Sequence, residues 1–166
     1  MEEINKEIAA AENAAGGSSQ FLTFTLDTEE YGVDILKVQE IKGFVRTTRV
    51  PNAPPEVVGV LNLRGTVVPI VDLRRKFNLS AIEYDQFTAI VVVVVNGRVM
   101  GMIVDRVSEV MSVPAGDIQP APEFGSVNAA MISGLAKVGE KLVILLDIDS
   151  VLAGSGEGLE TLALAA

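Results

Sequence analysis

The hydrophobic and polar positions along this chain predict strands far more often than helices. From Phe21 to Leu26, Thr23 and Thr25 alternate with Leu22, Phe24 and Leu26, the period of two of a strand with one buried face. Thr88 to Val95 is a β-branched run whose last seven residues, Ala89 to Val95, are apolar without a break. Such a run predicts a strand buried on both faces. Asn96-Gly97 comes next, followed by Val99 to Val104, and this pairing of turn and apolar run is a strong hairpin signal. Val67 to Val71 is also strand-like, but Pro69 cannot donate to a ladder, so this strand is expected at an edge or a bulge. Ile35 to Ile41 alternates Ile35, Lys37, Gln39 and Ile41 against Leu36, Val38 and Glu40, which reads as a strand with one mixed face turned outward. Short helices are predicted over Asp72 to Phe77 and Asp147 to Leu152. The fold class is mostly β.

Both ends differ from the middle. Ile4, Ile8, Ala11 and Ala15 sit at helical spacing, but Gly16-Gly17-Ser18-Ser19 follows, so residues 1–19 are expected to be a flexible tail or frayed helix. Residues 20–152 form the folded domain. Ala153 to Gly158 is a glycine-rich break, which leaves 153–166 as a second tail or a short docked helix. Within the domain the chain repeats itself. Tyr31 to Ile41 lies on Met100 to Val110 at a shift of 69, and Gly59 to Leu73 lies on Gly134 to Ile148 at a shift of 75. The change in shift fits an insertion around Pro114 to Pro122. Order and spacing together predict two small β-barrels related by a pseudo-two-fold, with exchange of strands between them left open.

Composition narrows the chemistry. The 166 residues include no Cys and no His, which removes disulfides, thiolate nucleophiles, the commonest general base and the commonest zinc ligands. No apolar run approaches the ~20 residues of a membrane helix. The N-terminus, M-E-E-I-N-K-E-I, is acidic where a signal peptide would be basic, so a cytoplasmic location without membrane insertion is expected. The net charge of −9 is unevenly spread. Residues 37–76 hold eight basic residues against three acidic ones, a net of +5, and the remainder carries −14. An acidic total repels nucleic acid, whereas the basic segment suits an acidic protein surface.

Candidate chemistry is sparse. Asp72 and Asp147 occupy equivalent positions in the repeat, as the two carboxylates of an aspartic-protease dyad would. That chemistry expects Thr or Ser and then Gly after each Asp. Here the neighbours are Leu73-Arg74 and Ile148-Asp149, so a helix-capping role is the better reading, and a carboxylate-dependent hydrolase is the weaker alternative. Asp147 with Asp149, or Asp27 with Glu29 and Glu30, lack the spacing of a calcium loop, and no phosphate loop is present. No metal and no cofactor are expected. Gly59 to Arg74 is different in kind. Arg64-Gly65 reads as a hairpin turn with Gly65 at positive φ, which would hold Arg64 as a charged fork for a partner carboxylate. A solvated turn arginine fits the same pattern.

The stretch NLRGTVVPIVDLR, with FLTFTLDTEEYGVDILKVQEIKG upstream and PAPEF (Pro120 to Phe124) downstream, resembles the CheW family of chemotaxis coupling proteins. The resemblance runs from about Gln20 to Leu152, with its motifs in order. It implies two five-stranded SH3-like barrels around a shared hydrophobic core and no catalysis. It also implies simultaneous binding to the cytoplasmic tip of methyl-accepting chemoreceptors and to the regulatory domain of the histidine kinase CheA. That kinase domain shares the fold, and a chain without an attached kinase or receiver segment is the expectation here. By resemblance, Val38, Glu40 and Arg64 face the receptor, with Val107 the repeat-related counterpart of Val38. For Val38 and Val107 a place in the core is the competing reading. A CheW-like scaffold for another signalling partner also fits the sequence.

Overall fold

A strand with apolar side chains on both faces folds only where something covers each face. The computed structural model, which describes residues 2–13, 19–120 and 129–155, shows how that is met. Helix α1 (Glu2–Asn13) precedes β1 (Ser19–Leu26), β2 (Glu29–Asp34), β3 (Val38–Gly43), β4 (Val57–Leu63), β5 (Thr66–Asp72) and the short helix α2 (Leu73–Lys76). The second half runs β6 (Ala89–Val95), β7 (Arg98–Val104), β8 (Arg106–Val113), β9 (Ile118–Gln119), β10 (Ile132–Val138), β11 (Lys141–Leu146) and α3 (Ile148–Val151). One sheet has the order β8-β1-β2-β11-β10-β9 and the other β3-β6-β7-β5-β4.

Exchanging each strand for its repeat counterpart turns one order into the other, apart from the two-residue β9. The halves of the sequence are not the halves of the fold, however. The hairpin β1–β2 sits with β8, β10 and β11, while β6–β7 sits with β3, β4 and β5. Strands are therefore exchanged between the two units. Both five-stranded units are open in their pairing order. The chain beyond β3 returns to the far edge through a single bridge, in which Thr48 and Val60 exchange two hydrogen bonds of 2.9 and 2.8 Å. In the other sheet the chain beyond β8 does the same through β9, which pairs with β10.

Among the described residues three apolar clusters result. Ile90 and Val92 of β6 point into one unit with Val68, Ile70 and Ile103. Phe21, Val113, Ala136, Val143 and Leu145 fill the other. Ala89, Val91, Val93 and Val95 face the opposite way, into a large core between the sheets with Leu22, Phe24, Leu26, Met100 and Met102. The unbroken apolar run of β6 is thus explained by period two applied to two different cores. The Asn96-Gly97 turn joins β6 to β7 with both residues at positive φ (50° and 78°), as a two-residue hairpin requires.

Three local expectations change. Residues 1–19 do not all hang free: Glu2–Asn13 form a helix whose Ile8 is only 2 % exposed, because the helically spaced isoleucines bury one stripe on the shared core. The strand reading of Ile35 to Ile41 begins too early, since Asp34 accepts the Leu36 N–H at 2.9 Å and folds Ile35–Lys37 into a 3₁₀ turn before β3. Pro69 lies on an internal strand. It is accommodated because Val60, opposite it, directs its backbone groups to Thr48, and pairing of β5 with β7 is registered only over Ile70–Asp72. At the far end Ser155 is buried and donates to Glu56 Oε1 at 3.0 Å. The segment 156–166 and the PAPEF residues from Ala121 onward lie outside the described residues. Among those described, no helix is long and apolar enough to cross a membrane.

The sheets are fastened to each other by a buried arginine. Arg74 of α2 donates to both carboxylate oxygens of Asp105, each at 2.7 Å, and to the Ser80 carbonyl at 2.7 Å, with Asp27 at 3.5 Å. Asp105 stands where the chain leaves one sheet (β7) for the other (β8), and Asp27 lies between β1 and β2. Burial disfavours the Asp105 carboxylate, but the hydrogen bonds from Arg74 and from the Asp27 N–H outweigh it and hold its pKa below the ordinary value. A bidentate, buried pair of this kind is costly to break from one side. Replacing Arg74 by Met should cost about 3 kcal/mol in urea unfolding, because it strands the Asp105 charge. The folded pKa of Asp105 is depressed, so its contribution is complete above about pH 4 and is lost as pH falls through the lower folded value. The stability gap between wild type and Asp105→Asn should therefore shrink below about pH 4. A gap that stays constant on acidification would show that the carboxylate charge is not what Arg74 holds.

Candidate interaction site

Arg64 and Gly65 form the two-residue turn between β4 and β5, with φ of 50° and 87°. Both lie in the left-handed region, which matches the twist of the flanking strands. Asn62 Oδ1 accepts the Gly65 N–H at 2.9 Å and tightens the turn. A non-glycine residue in this conformation costs roughly 1 kcal/mol, so Arg64 occupies a place that most side chains would disfavour. Its guanidinium reaches Glu40 Oε2 at 3.0 Å. Glu40 belongs to β3, which is at the opposite edge of the sheet from β4, so this ion pair spans the open seam of the unit. Arg64 remains 70 % exposed and Glu40 25 % exposed at the side chain, leaving most donors of the guanidinium free to meet a further acceptor. Beside the pair is a cavity of about 270 Å³ lined by Gln39, Leu63, Arg64, Thr66, Val68 and Val99.

The structure thus brings Glu40 and Arg64 together. Val38 is elsewhere: it is 1 % exposed, faces the shared core and pairs in register with Val93. A side chain so buried has no free surface for a partner and supports β3 from beneath. Val107 on β8 is half-buried against the same core. The register shifts between Val38 and Glu40 on β3, and the bulge lets Val38 point inward while Glu40 reaches the seam.

The two repeat-related aspartates cap helices. Asp72 accepts the Arg74 N–H at 3.0 Å through Oδ1 and the Tyr84 hydroxyl at 2.7 Å through Oδ2. Burial above all, then this hydrogen bond and the Asp72 charge, pushes the Tyr84 phenol well above its ordinary pKa. Asp147 accepts from the Ser150 N–H and hydroxyl. Asp149 pairs with Lys37 at 3.0 Å, and Asp27 is drawn to Arg74. No group of three potential metal-ligating side chains occurs among the described residues.

Two features of this region carry no motif. Asn5 donates to the Ile41 carbonyl at 3.2 Å and accepts the Ile41 N–H at 2.9 Å, docking α1 on the outer edge of β3. The sequence clue was Asn5 between Ile4 and Ile8, on the stripe that becomes buried. Arg74 was indistinguishable from Arg75 and Lys76 in a basic run, although Arg74 is buried and Arg75 is half exposed.

A family model for the CheW-like domain matches residues 20–155, nearly the whole of the two sheets. This chain belongs to the CheW family. It is 49 % identical to the chemotaxis protein CheW of Klebsiella aerogenes over 134 residues, covering 80 % of this chain and 81 % of that one. It is 36 % identical to the CheW of Rhizobium meliloti over 143 residues, covering 86 % and 92 %. In three dimensions it is similar to the crystal structure of the scaffolding protein TtCheW from Thermoanaerobacter tengcongensis, with a TM-score of 0.78 at 30 % identity and coverage of 84 % and 96 %. The CheW-like match begins at Gln20, after α1.

The turn that carries Arg64 allows a direct test. A Cβ on Gly65 would meet nothing within 4 Å, so substitution there is resisted by the backbone alone. Gly65→Val should lower unfolding free energy by about 1–3 kcal/mol, and Gly65→Asn by much less, since Asn tolerates the left-handed region. Equal melting temperatures for the Val variant and wild type would rule out the strained turn.

Proposed function

We propose that this chain is a chemotaxis adaptor that acts by contact, binding a chemoreceptor cytoplasmic tip and the regulatory domain of CheA at the same time. Membership of the CheW family supplies the setting. The observation that carries the reading is the exposed Arg64 guanidinium, fixed on a tight turn and already aligned by Glu40 across the seam. A fork held in place loses little freedom when it binds a partner carboxylate, and its planar donors suit bidentate contact. No catalytic group is needed for this role, and Asp72 and Asp147 serve the fold as caps. Glu40 and Arg64 form the receptor-facing ridge, with Val38 shaping it from below and Val107 on the neighbouring edge.

Charge reversal at Arg64 tests the assignment. An exposed ion pair contributes about 0–1 kcal/mol to stability, so Arg64→Glu should leave the melting temperature nearly unchanged. Binding of a receptor cytoplasmic fragment, measured by calorimetry, should weaken more than for Arg64→Ala, because reversal adds repulsion to the lost hydrogen bonds. Added salt should narrow the difference between the two variants. The double variant Glu40→Lys with Arg64→Glu restores the intramolecular pair. If it also restores affinity, Arg64 acts through Glu40; if it does not, Arg64 itself meets the partner. Undiminished affinity of Arg64→Glu for both receptor and CheA fragments would remove Arg64 from recognition.

A further inference from the structure

The edge strands of the two sheets, β3 and β8, are both contacted by α1, which lies across them. An edge strand presents unpaired backbone groups that must be covered or hydrated. On β3 the outward N–H and C=O of Ile41 are both taken by the Asn5 side chain, which substitutes for a neighbouring strand. Ile8 is buried in the shared core and Ile4 packs against it, alongside Val107 and Val110 of β8. The cleft between β3 and β8 is therefore shaped for one face of an amphipathic helix, and in this structure the chain's own N-terminal helix is in it.

The seat is narrow. Two isoleucines and one amide face the cleft from a helix of 12 residues, a length at which helices are marginal in water without tertiary contacts. Its described charged side chains, Glu2, Glu3, Lys6 and Glu7, are exposed and carry a net of −2, so the face turned to solvent is acidic. Glu40, one half of the exposed seam pair, is adjacent in sequence to Ile41, so an occupant of the cleft lies next to the ridge assigned to recognition.

We propose that α1 is a displaceable cover on the β3–β8 cleft, holding in cis the place of an acidic amphipathic helix of a partner. The proposal rests on the adaptor reading above in taking that partner to be the receptor tip. α1 lies outside the segment matched by the CheW-like family model, so the cover is read from this chain's own residues. A partner must then compete with α1, and affinity is reduced by the fraction of molecules in which the cleft is closed.

Two variants of the full chain test this, Ile8→Glu and Asn5→Ala, each compared with wild type. Amide hydrogen exchange at Ile41 should speed up in both, since its N–H loses the Asn5 acceptor. Calorimetric affinity for a receptor cytoplasmic fragment should rise, by about fivefold if the cleft is closed in four molecules of five. A synthetic peptide of residues 1–15 added to Ile8→Glu should slow Ile41 exchange again and lower that affinity. Unchanged exchange in both variants, or no effect of the peptide on exchange, overturns the cover whatever the receptor does. Faster exchange with unchanged or weaker receptor affinity overturns the competition. Receptor binding to neither wild type nor variants overturns the adaptor reading and the receptor as competitor, while the exchange data still decide whether α1 leaves its seat.

Discussion

Strands β6 and β7 carry apolar side chains on both faces, and a sheet of that kind has to be covered twice. Each five-stranded unit covers one face by curling around its own small cluster. The other face is covered only by the opposite unit, through the core that contains Phe24, Val91, Val93, Met100 and Met102. Neither unit can bury its second face alone. The pseudo-two-fold follows from this requirement, because two similar sheets with the same surplus of apolar surface satisfy each other.

Strand exchange reinforces the dependence. Since β1–β2 completes the sheet of β8, β10 and β11, and β6–β7 completes that of β3, β4 and β5, the sequence halves cannot fold independently into the observed units. The chain crosses between sheets at Asp105, where Arg74 forms its bidentate contact. Burying that pair has a desolvation cost, and its gain lies in fixing where one sheet sits on the other. With the centre so constrained, the edges β3 and β8 and the turns between strands are left as the places where sequence can change without disturbing the core.

Much of this could be read from the residues before any coordinates. Period two marked β1, the double-faced run marked β6, Asn96-Gly97 marked its hairpin, and the offsets of 69 and 75 residues marked the repeat. These signals are local, set by side-chain alternation and turn stereochemistry. What escaped was set by distant partners. The fate of Ile4, Asn5 and Ile8 depended on an edge strand some 36 residues away, and that of Arg74 on a carboxylate 31 residues away. The Ile35 to Ile41 alternation misled for a local reason, because capping of Leu36 by Asp34 outcompeted the strand for three residues. Arg64 could be placed on its turn from the residues, but its pairing with Glu40 required the curl of the sheet that brings opposite edges together.

The symmetry of the backbone is not carried to the surface. The counterpart of the Arg64-Gly65 turn is Gly139-Glu140, which has glycine at positive φ in the first position and an acid in the second. Glu109, the counterpart of Glu40, is exposed on β8. One turn therefore presents a guanidinium and the other a carboxylate, on hairpins of different backbone, since φ is positive at both Arg64 and Gly65 but only at Gly139 in the other turn. Charge complementarity distinguishes partners chiefly by excluding the wrong one. Two units with the same strand order but unlike turns can thus present different surfaces on a single core.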